Sequence, residues 1–359
     1  MIKFTDLNNG HKKIQNNLKK KIEKIFLSKK FILGPEAIKL ENSLSKYIKS
    51  KCIAVSSGTD AILLALMAIQ VKAGDEIITT PFTWASSVEM IKLLGAKPVY
   101  IDIDPRNFNL NANLVKSKIT KKTKAILTVN IFGQCCDYDL IKKSLKGKKI
   151  FIIEDAAQSF GAKYKNRKSG SLGDISCTSF FPSKPLGCYG DGGACFTNNK
   201  NLYDKIKILR NHGQLSKNNH KIVGLNARMD EIQAGVLNEK LKIFKNEIVL
   251  RNKIAKSYEA LLRNKKDILY LPKIEKFNYS VFAQYSILVK NRDFIVKKFK
   301  EKKIPFAIFY PQPLYKQMAF RDKRYKLENV EEITKNIISL PFHPYLSSKH
   351  QNIISNCFN

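Results

Sequence analysis

Hydrophobic positions along this chain switch between two periods, and the switches mark its elements. Isoleucine and leucine recur at helical spacing among lysines from 11 to 27, in Lys12-Lys13-Ile14-Gln15-Asn16-Asn17-Leu18-Lys19-Lys20-Lys21-Ile22, which predicts a basic amphipathic helix. A second helix is predicted over 36–48, and Ile32-Leu33-Gly34-Pro35 punctuates the two. Short apolar runs and helical patterns then take turns: strand 52–57 and helix 59–70, strand 76–79 and helix 83–94, strand 97–102 and a helix near 111–118. Strands follow at 124–129 and 150–154, and apolar patches at 175–181 and 193–197 read as further strands of the same sheet. Such alternation is the signature of a mostly parallel α/β sheet. Over 226–261 the period becomes helical, with Ile232, Val236, Leu237, Leu241, Phe244 and Ile248 on one face. Beyond it a strand at 283–289, a helix at 293–302 and a strand at 304–309 predict a small α/β tail.

Length and composition limit the possible classes. With 359 residues the chain can bury a large core, and the pattern divides it into a large domain, 1–240, and a smaller one, 241–359. No apolar run reaches the roughly 18 residues of a membrane span, and the start Met1-Ile2-Lys3-Phe4-Thr5-Asp6 lacks the features of a signal peptide, so a cytoplasmic protein with no membrane partner is expected. Seven cysteines form no CxxC pair and lie in apolar strands, as reduced thiols would. Cys135-Cys136 has no histidine nearby to complete a metal site, so no metal is expected. The formal net charge is +34, with 64 Lys and Arg against 30 Asp and Glu. That field favours anionic ligands and on its own suggests nucleic acid. Only 9 of the basic residues are Arg, however, and no recognition motif accompanies them; the lysines read as solvated helix faces, and no nucleic-acid partner is expected.

Three stretches carry candidate chemistry. In Ser176-Cys177-Thr178-Ser179-Phe180-Phe181-Pro182-Ser183-Lys184-Pro185-Leu186-Gly187-Cys188-Tyr189-Gly190-Asp191-Gly192-Gly193, one lysine stands among small, aromatic and turn-forming residues. A lysine in a dry pocket gives up its charge readily, and the neutral amine can form a Schiff base with an aldehyde; a surface-loop lysine is the plainer reading. Upstream, Phe151-Ile152-Ile153-Glu154-Asp155 is an apolar run ending in acid, as a buried parallel strand does where its carboxyl end opens on a crevice. Asp155 there could hold a pyridine nitrogen protonated, or merely cap a following helix. Finally, Val55-Ser56-Ser57-Gly58-Thr59-Asp60-Ala61 turns a strand into a helix whose free N–H groups suit a phosphate; an unliganded capping turn is the alternative.

Taken together, and in this order, these stretches resemble the DegT/DnrJ/EryC1/StrS sugar aminotransferases. The resemblance runs from Phe4-Thr5-Asp6-Leu7 through Ile32-Leu33-Gly34-Pro35-Glu36, Gly95-Ala96-Lys97-Pro98-Val99-Tyr100-Ile101-Asp102 and Glu154-Asp155-Ala156-Ala157-Gln158-Ser159 to Pro341-Phe342-His343-Pro344-Tyr345-Leu346. It implies an α/β, fold-type I, aspartate aminotransferase-like enzyme that uses pyridoxal 5'-phosphate. Lys184 would be the Schiff-base lysine and Asp155 the partner of the ring nitrogen. Gln158, one helical turn beyond Asp155, would lie near the ring hydroxyl, and Trp84 would stack on the ring; an interface or core tryptophan is the other reading of Trp84. Gly58, Thr59 and Ser179 would hold the phosphate. Asn226 would reach the phosphate of a neighbouring subunit, which implies a homodimer with shared sites. Arg228 matches a substrate-contacting arginine.

The run Cys177–Gly193 is similar to the branch that aminates UDP-linked 2-acetamido-3-oxo sugars, above all the 3-oxo-glucuronate, with L-glutamate as donor. One departure stands out. Where those relatives carry a His-Tyr pair beside the substrate, this chain has Phe309-Tyr310. Phenylalanine donates no hydrogen bond, which leaves the neutral UDP-3-oxo-GlcNAc as an alternative substrate. A 4-oxo nucleotide sugar, a dehydratase on the same fold and a non-catalytic regulatory protein are further alternatives. The dehydratase reading conflicts with Lys184, because those members carry histidine at that position.

Overall fold

A computed structural model describes all 359 residues, Met1–Asn359. The chain opens with α1 (Asn8–Ser28) and α2 (Pro35–Ile48), then enters a sheet through β1 (Lys51–Val55). There follow α3 (Gly58–Ala68), β2 (Glu76–Thr79), α4 (Ser86–Leu93), β3 (Lys97–Tyr100), α5 (Val115–Lys118), β4 (Thr123–Val129), α6 (Tyr138–Ser144) and β5 (Phe151–Asp155). A two-strand ribbon, β6 (Lys163–Tyr164) and β7 (Arg167–Lys168), precedes β8 (Ile175–Ser179) and β9 (Gly193–Thr197). The seven-stranded sheet has the order β1-β9-β8-β5-β4-β2-β3. Strands β8, β5, β4, β2 and β3 are parallel, while β9 runs antiparallel to both β8 and β1. All carboxyl ends of the parallel strands thus lie along one edge, where ligands of open α/β sheets bind.

Both faces of this sheet are covered, and two cores result. One gathers Ile53, Val55, Leu64, Ile77, Leu127 and Ile153; the other gathers Ala54, Ile78, Ile126 and Ile152 with Leu40 and Leu44 of α2. Successive residues of one strand fall in opposite cores, as the two-residue period of a strand requires. A strand buried on both sides cannot show alternation, which is why these strands read as continuous apolar runs.

After α7 (Lys200–Leu209) and a short ribbon, β10 (Gln214–Ser216) with β11 (Asn219–His220), comes the long helix α8 (Glu231–Leu262). It starts later than the predicted 226, because 226–230 is extended: Asn226 bridges Asn211, Arg228 bridges Val55 and Asp230 bridges Ile32. The first half of α8 buries Val236, Leu237 and Phe244 against the sheet layer, and the second half buries Ile254, Ala255 and Tyr258 in a third core. The expected division at 240/241 therefore falls inside one continuous helix. That third core surrounds a sheet of order β12-β14-β15, from β12 (Ile268–Tyr270), β14 (Tyr285–Val289) and β15 (Ile337–Leu340), with α9 (Arg292–Glu301) against it. Between these, β13 (Asn278–Tyr279) pairs back to β6. Helices α10 (Glu328–Asn336) and α11 (Ser348–Ser355) complete the chain.

The strand expected at 304–309 is absent. Only Ala307 pairs, through a single bridge to Ser339 of β15. Pro305 supplies no amide donor, and Pro311 and Pro313 follow closely, so no ladder extends from that bridge. Helix α4 begins at Ser86 rather than 83, and the predicted helix near 111–118 is a short 3-10 turn leading into α5. No helix is long and apolar enough to cross a membrane. All seven cysteines are free and buried, and no cluster of three potential metal ligands exists.

Candidate active site

Asp155 ends β5 at the carboxyl edge of the sheet and is only 6% exposed. Its Oδ2 accepts from the Ser87 hydroxyl at 3.0 Å and its Oδ1 from the Ala157 amide at 3.0 Å. Burial pushes its pKa above the ordinary carboxylate range; the Ala157 amide, the charge of Lys184 and Ser87 pull the other way without overcoming it. A carboxylate has about four acceptor positions, so two hydrogen bonds leave Asp155 with capacity for another donor. No helix follows it. Residues 156–160 form a tight turn in which Ser159 and Phe160 both bond back to the Ala156 carbonyl, so Gln158 comes off a turn rather than a helix.

The adjacent carboxylate has the opposite fate. Glu154 points to the other face of β5, as strand alternation dictates, and is completely buried. Five donors reach it: Asn130 Nδ2, Ser169 Oγ and the Gly170 amide on Oε1, with the Leu172 amide and Ser176 Oγ on Oε2, all between 2.6 and 2.9 Å. It is an anchor for the loop leading into β8, which in turn leads to Lys184.

Lys184 lies in the loop after β8, with its amide bonded to the Phe181 carbonyl at 2.8 Å. The side chain is half-buried, and Nζ has no hydrogen-bond partner. Burial lowers its pKa, opposed only by the charge of Asp155. For this pair desolvation outweighs mutual attraction on both sides, leaving an acid and an amine each biased towards neutrality. The loop is fixed by close packing at glycine. A Cβ on Gly187 would stand 2.6 Å from the Phe181 and Pro182 carbonyl oxygens.

Gly58 opens α3 directly opposite Ser179, the last residue of β8. A Cβ on Gly58 would lie 2.6 Å from the Ser179 Cβ, so only glycine lets the helix start come this close. Ser57 caps the helix by accepting from the Asp60 amide at 3.0 Å, while Asp60 Oδ2 accepts from the hydroxyls of Ser56 and Ser57 at 2.5 and 2.9 Å. The N–H groups of Gly58 and Thr59 precede the helical ladder and need an outside acceptor. Ser179 Oγ accepts from the Phe181 amide at 3.2 Å and its hydroxyl hydrogen remains to be donated.

Gln158 accepts from the Phe132 amide at 2.8 Å and donates to the Tyr310 hydroxyl at 3.2 Å. Tyr310, 9% exposed, packs edge-on against Phe82 at 5.7 Å, so the C-terminal segment is tied to the sheet edge. Phe309 lies half-buried against Phe4 and Tyr310. Trp84 is 64% exposed. Asn226 is exposed and its Oδ1 accepts from Arg228 Nε at 2.9 Å; Arg228 also donates to Asn211 Oδ1 at 3.1 Å. That segment runs beside the Ser56 turn, since the Ser56 amide donates to the Ala227 carbonyl at 3.1 Å. Within the chain, then, Asp155 pairs with Ser87, Gln158 joins Phe132 and Tyr310 in a separate set of hydrogen bonds, and Gly58 meets Ser179 in a third contact. Trp84 takes part in none of these contacts. Ser87 and Phe132 carried no signal in the sequence, because a serine early in a helix and a phenylalanine after a strand are ordinary.

A lowered-pKa lysine facing a buried strand-end aspartate, beside an N-capped helix start with unpaired amides, defines a site of the pyridoxal phosphate type. The donor set fits that group: a free acceptor for a protonated ring nitrogen, an amine for an aldehyde, and a glycine cradle with amides for a phosphate. The chain matches the DegT/DnrJ/EryC1/StrS aminotransferase family over residues 12–359 and belongs to it. It is 45% identical over 355 residues to the UDP-2-acetamido-2-deoxy-3-oxo-D-glucuronate aminotransferase of Pseudomonas aeruginosa, covering 99% of this chain and 98% of that one. Its fold is that of the crystallised DegT DnrJ EryC1 StrS aminotransferase from Brucella abortus, with a TM-score of 0.94, 37% identity, and 99% and 98% of the two chains covered. NtdA from Bacillus subtilis, solved with bound cofactor PMP, is similar at a TM-score of 0.88 and 28% identity, covering 98% of this chain and 81% of that one.

Proposed function

We propose that this protein is a pyridoxal phosphate-dependent aminotransferase that converts the ketone of a nucleotide-linked sugar to an amine, with L-glutamate as donor. The observation that carries the reading is the pairing of Lys184, its Nζ unbonded and its pKa lowered, with Asp155 at the end of β5. The substrate we assign is UDP-2-acetamido-2-deoxy-3-oxo-D-glucuronate, supported by the full-length similarity to the Pseudomonas aeruginosa enzyme.

When bound, pyridoxal phosphate supplies an aldehyde that condenses with amines and a ring that accepts electrons. Lys184 would hold that aldehyde through Nζ. Its Nζ would also take the proton from the donor α-carbon, and burial, by lowering its pKa, favours the neutral amine that this role needs. Asp155 holds a proton at the ring nitrogen, and Ser87 and the Ala157 amide fix the carboxylate in place. Gly58, Thr59 and Ser179 would hold the phosphate, Gln158 would serve the ring hydroxyl and Trp84 would cover the ring face. Asn226 reaches the phosphate in a partner subunit, making a homodimer with composite sites, and Arg228, Phe309 and Tyr310 contact the sugar. The enzyme acts in the cytoplasm, and its amino sugar enters surface polysaccharide synthesis. A neutral UDP-3-oxo-GlcNAc substrate is the second reading, favoured by Phe309.

The test is incubation of the purified protein with L-glutamate and a panel of UDP- and dTDP-linked keto sugars, with products read by mass spectrometry. Amination of the 3-oxo uronate with release of 2-oxoglutarate is expected. No amination of any keto sugar by a yellow, cofactor-loaded protein would overturn the reading.

A further inference from the structure

A polar cavity adjoins the Lys184 loop, with Lys184 itself in its wall. Its walls are the loop 182–185, the N-terminal segment around Asp6, the middle of α8 and His343, with about 30 Å3 of open space. That is room for roughly two waters or one carboxylate group. Two buried nitrogens in its wall, Arg251 Nε and His343 Nδ1, have no hydrogen-bond partner, and a third group, the Lys240 ammonium, meets only an aromatic ring. Lys240 is 7% exposed, its ammonium makes no hydrogen bond or ion pair, and it stands 5.3 Å from the centre of the Tyr189 ring. Arg251 is 7% exposed; its Nη1 donates to the Phe282 carbonyl at 3.1 Å, but its Nε–H is unsatisfied. His343 is 5% exposed and its Nδ1 is unsatisfied. Buried groups of this kind are costly to leave unpaired, and Lys and Arg can only donate, so whatever completes them must accept.

Charge narrows the occupant. Asp6 is turned to its own turn, accepting from the Asn8 amide at 2.9 Å and Asn9 Nδ2 at 2.6 Å, with Lys3 at 3.5 Å. Glu247 accepts from the Tyr345 hydroxyl at 2.6 Å and remains the only other carboxylate in the wall. The charged groups of the wall are then Lys184, Lys240 and Arg251 against Asp6 and Glu247, a surplus of one positive charge. A dianion would overfill that balance; a monoanion with two acceptor oxygens meets it.

We propose that Lys240, Arg251 and His343 form a carboxylate-binding site in this cavity, and that its occupant bears on the loop that presents Lys184. Two sources offer that chemistry: a carboxylate of the amino donor, which rests on the function proposed above, and a free monocarboxylate acting as an effector.

Calorimetric titration of the holoenzyme with sodium acetate, in buffer free of other small anions, tests the site. Saturable binding is expected, weakened about tenfold or more in Lys240→Met and unchanged in Lys242→Met, an exposed neighbour; sodium sulfate should bind more weakly than acetate. Lys240→Gln serves if the methionine variant does not fold. Absence of saturable acetate binding in the native protein, equal binding in the Lys240 variant, or tighter binding of sulfate overturns the proposal. Competition between acetate and L-glutamate, with a raised KM for glutamate but not for the sugar in Lys240→Met, assigns the carboxylate to the donor. Acetate binding without either effect assigns it to a free effector. Failure of transamination with every sugar would remove the proposed function and leave the acetate titration intact.

Discussion

Gly58→Ala is the sharpest probe of the phosphate cradle. The added Cβ would meet the Ser179 Cβ at 2.6 Å and its Cα at 3.1 Å, against an optimum of about 3.5–4.0 Å between carbons. Roughly 1 Å of separation must be found between the start of α3 and the end of β8. Neither is the flexible tip of a side chain: β8 is paired on both sides and α3 is packed in the core. Overpacking of this kind costs about 1–3 kcal/mol, a fall in Tm of roughly 1–4 °C for a chain of this length. The same displacement moves the amides of Gly58 and Thr59 off the phosphate, so cofactor affinity should fall by about tenfold or more, since hydrogen bonds to charged groups are worth about 1.5–3 kcal/mol. Thermal melts and absorbance titration with pyridoxal phosphate measure both. Ser179→Gly in the Gly58→Ala background removes the nearer contact and should recover part of the lost Tm, a coupling that additive effects would not give. Native Tm and cofactor affinity in Gly58→Ala, or strict additivity in the double variant, would refute the steric argument.

Other perturbations address the remaining parts. Asp155 has a raised pKa, so between the ordinary carboxylate range and its folded value the folded chain holds more proton than the unfolded one, and apoprotein stability falls as pH rises through that window; Asp155→Asn should flatten this slope, melt higher above it and abolish turnover, and an unchanged slope in melts against pH would count against the assignment. Lys184 is the mirror case, its lowered pKa making stability rise with pH from that value up to the ordinary lysine range; Lys184→Met should remove that rise while pyridoxal phosphate still binds. Mixing inactive Lys184→Ala with inactive Asn226→Ala chains should restore part of the activity, because one site of a mixed dimer carries neither defect; no recovery despite proven subunit exchange would exclude shared sites. Phe309→His should raise the kcat/KM ratio of the 3-oxo uronate over the neutral ketone by about 10- to 150-fold, the worth of one hydrogen bond to a charged acceptor, and an unmoved ratio would show that this position does not read the carboxylate.

What the sequence made legible is what local pattern controls. The alternation from 52 to 154 gave the parallel strands and their helices, since a doubly buried strand must be apolar throughout and a surface helix must not. Asp155 and Lys184 stood out because charge is unexpected at a strand tip and in a glycine-rich loop. Contacts between distant segments left no such trace. Ser87 and Asp155, Gln158 and Tyr310, and Lys240 with His343 are neighbours only through the fold, and each residue alone is unremarkable. The strand expected at 304–309 failed for a local reason that was visible, Pro305, whereas the extended course of 226–230 depends on bridges to residues 211, 55 and 32 that only folding supplies.

Glu154 and Asp155 also bear on how freely this protein could be altered. One carboxylate is saturated by five donors drawn from three separate stretches of chain, the next is left two bonds and room to spare. A slip of β5 by one residue would exchange their faces, placing an unsatisfied acid among serines that expect an acceptor and a sealed one in the cleft. The hub at Glu154 therefore acts as an error check on the cleft: a chain that assembles the sheet in the wrong register forfeits the whole network at once. On the function proposed above, a change of sugar would be sought at Arg228, Phe309 and the exposed loops. There is almost no latitude at residue 154, although it touches nothing that reacts.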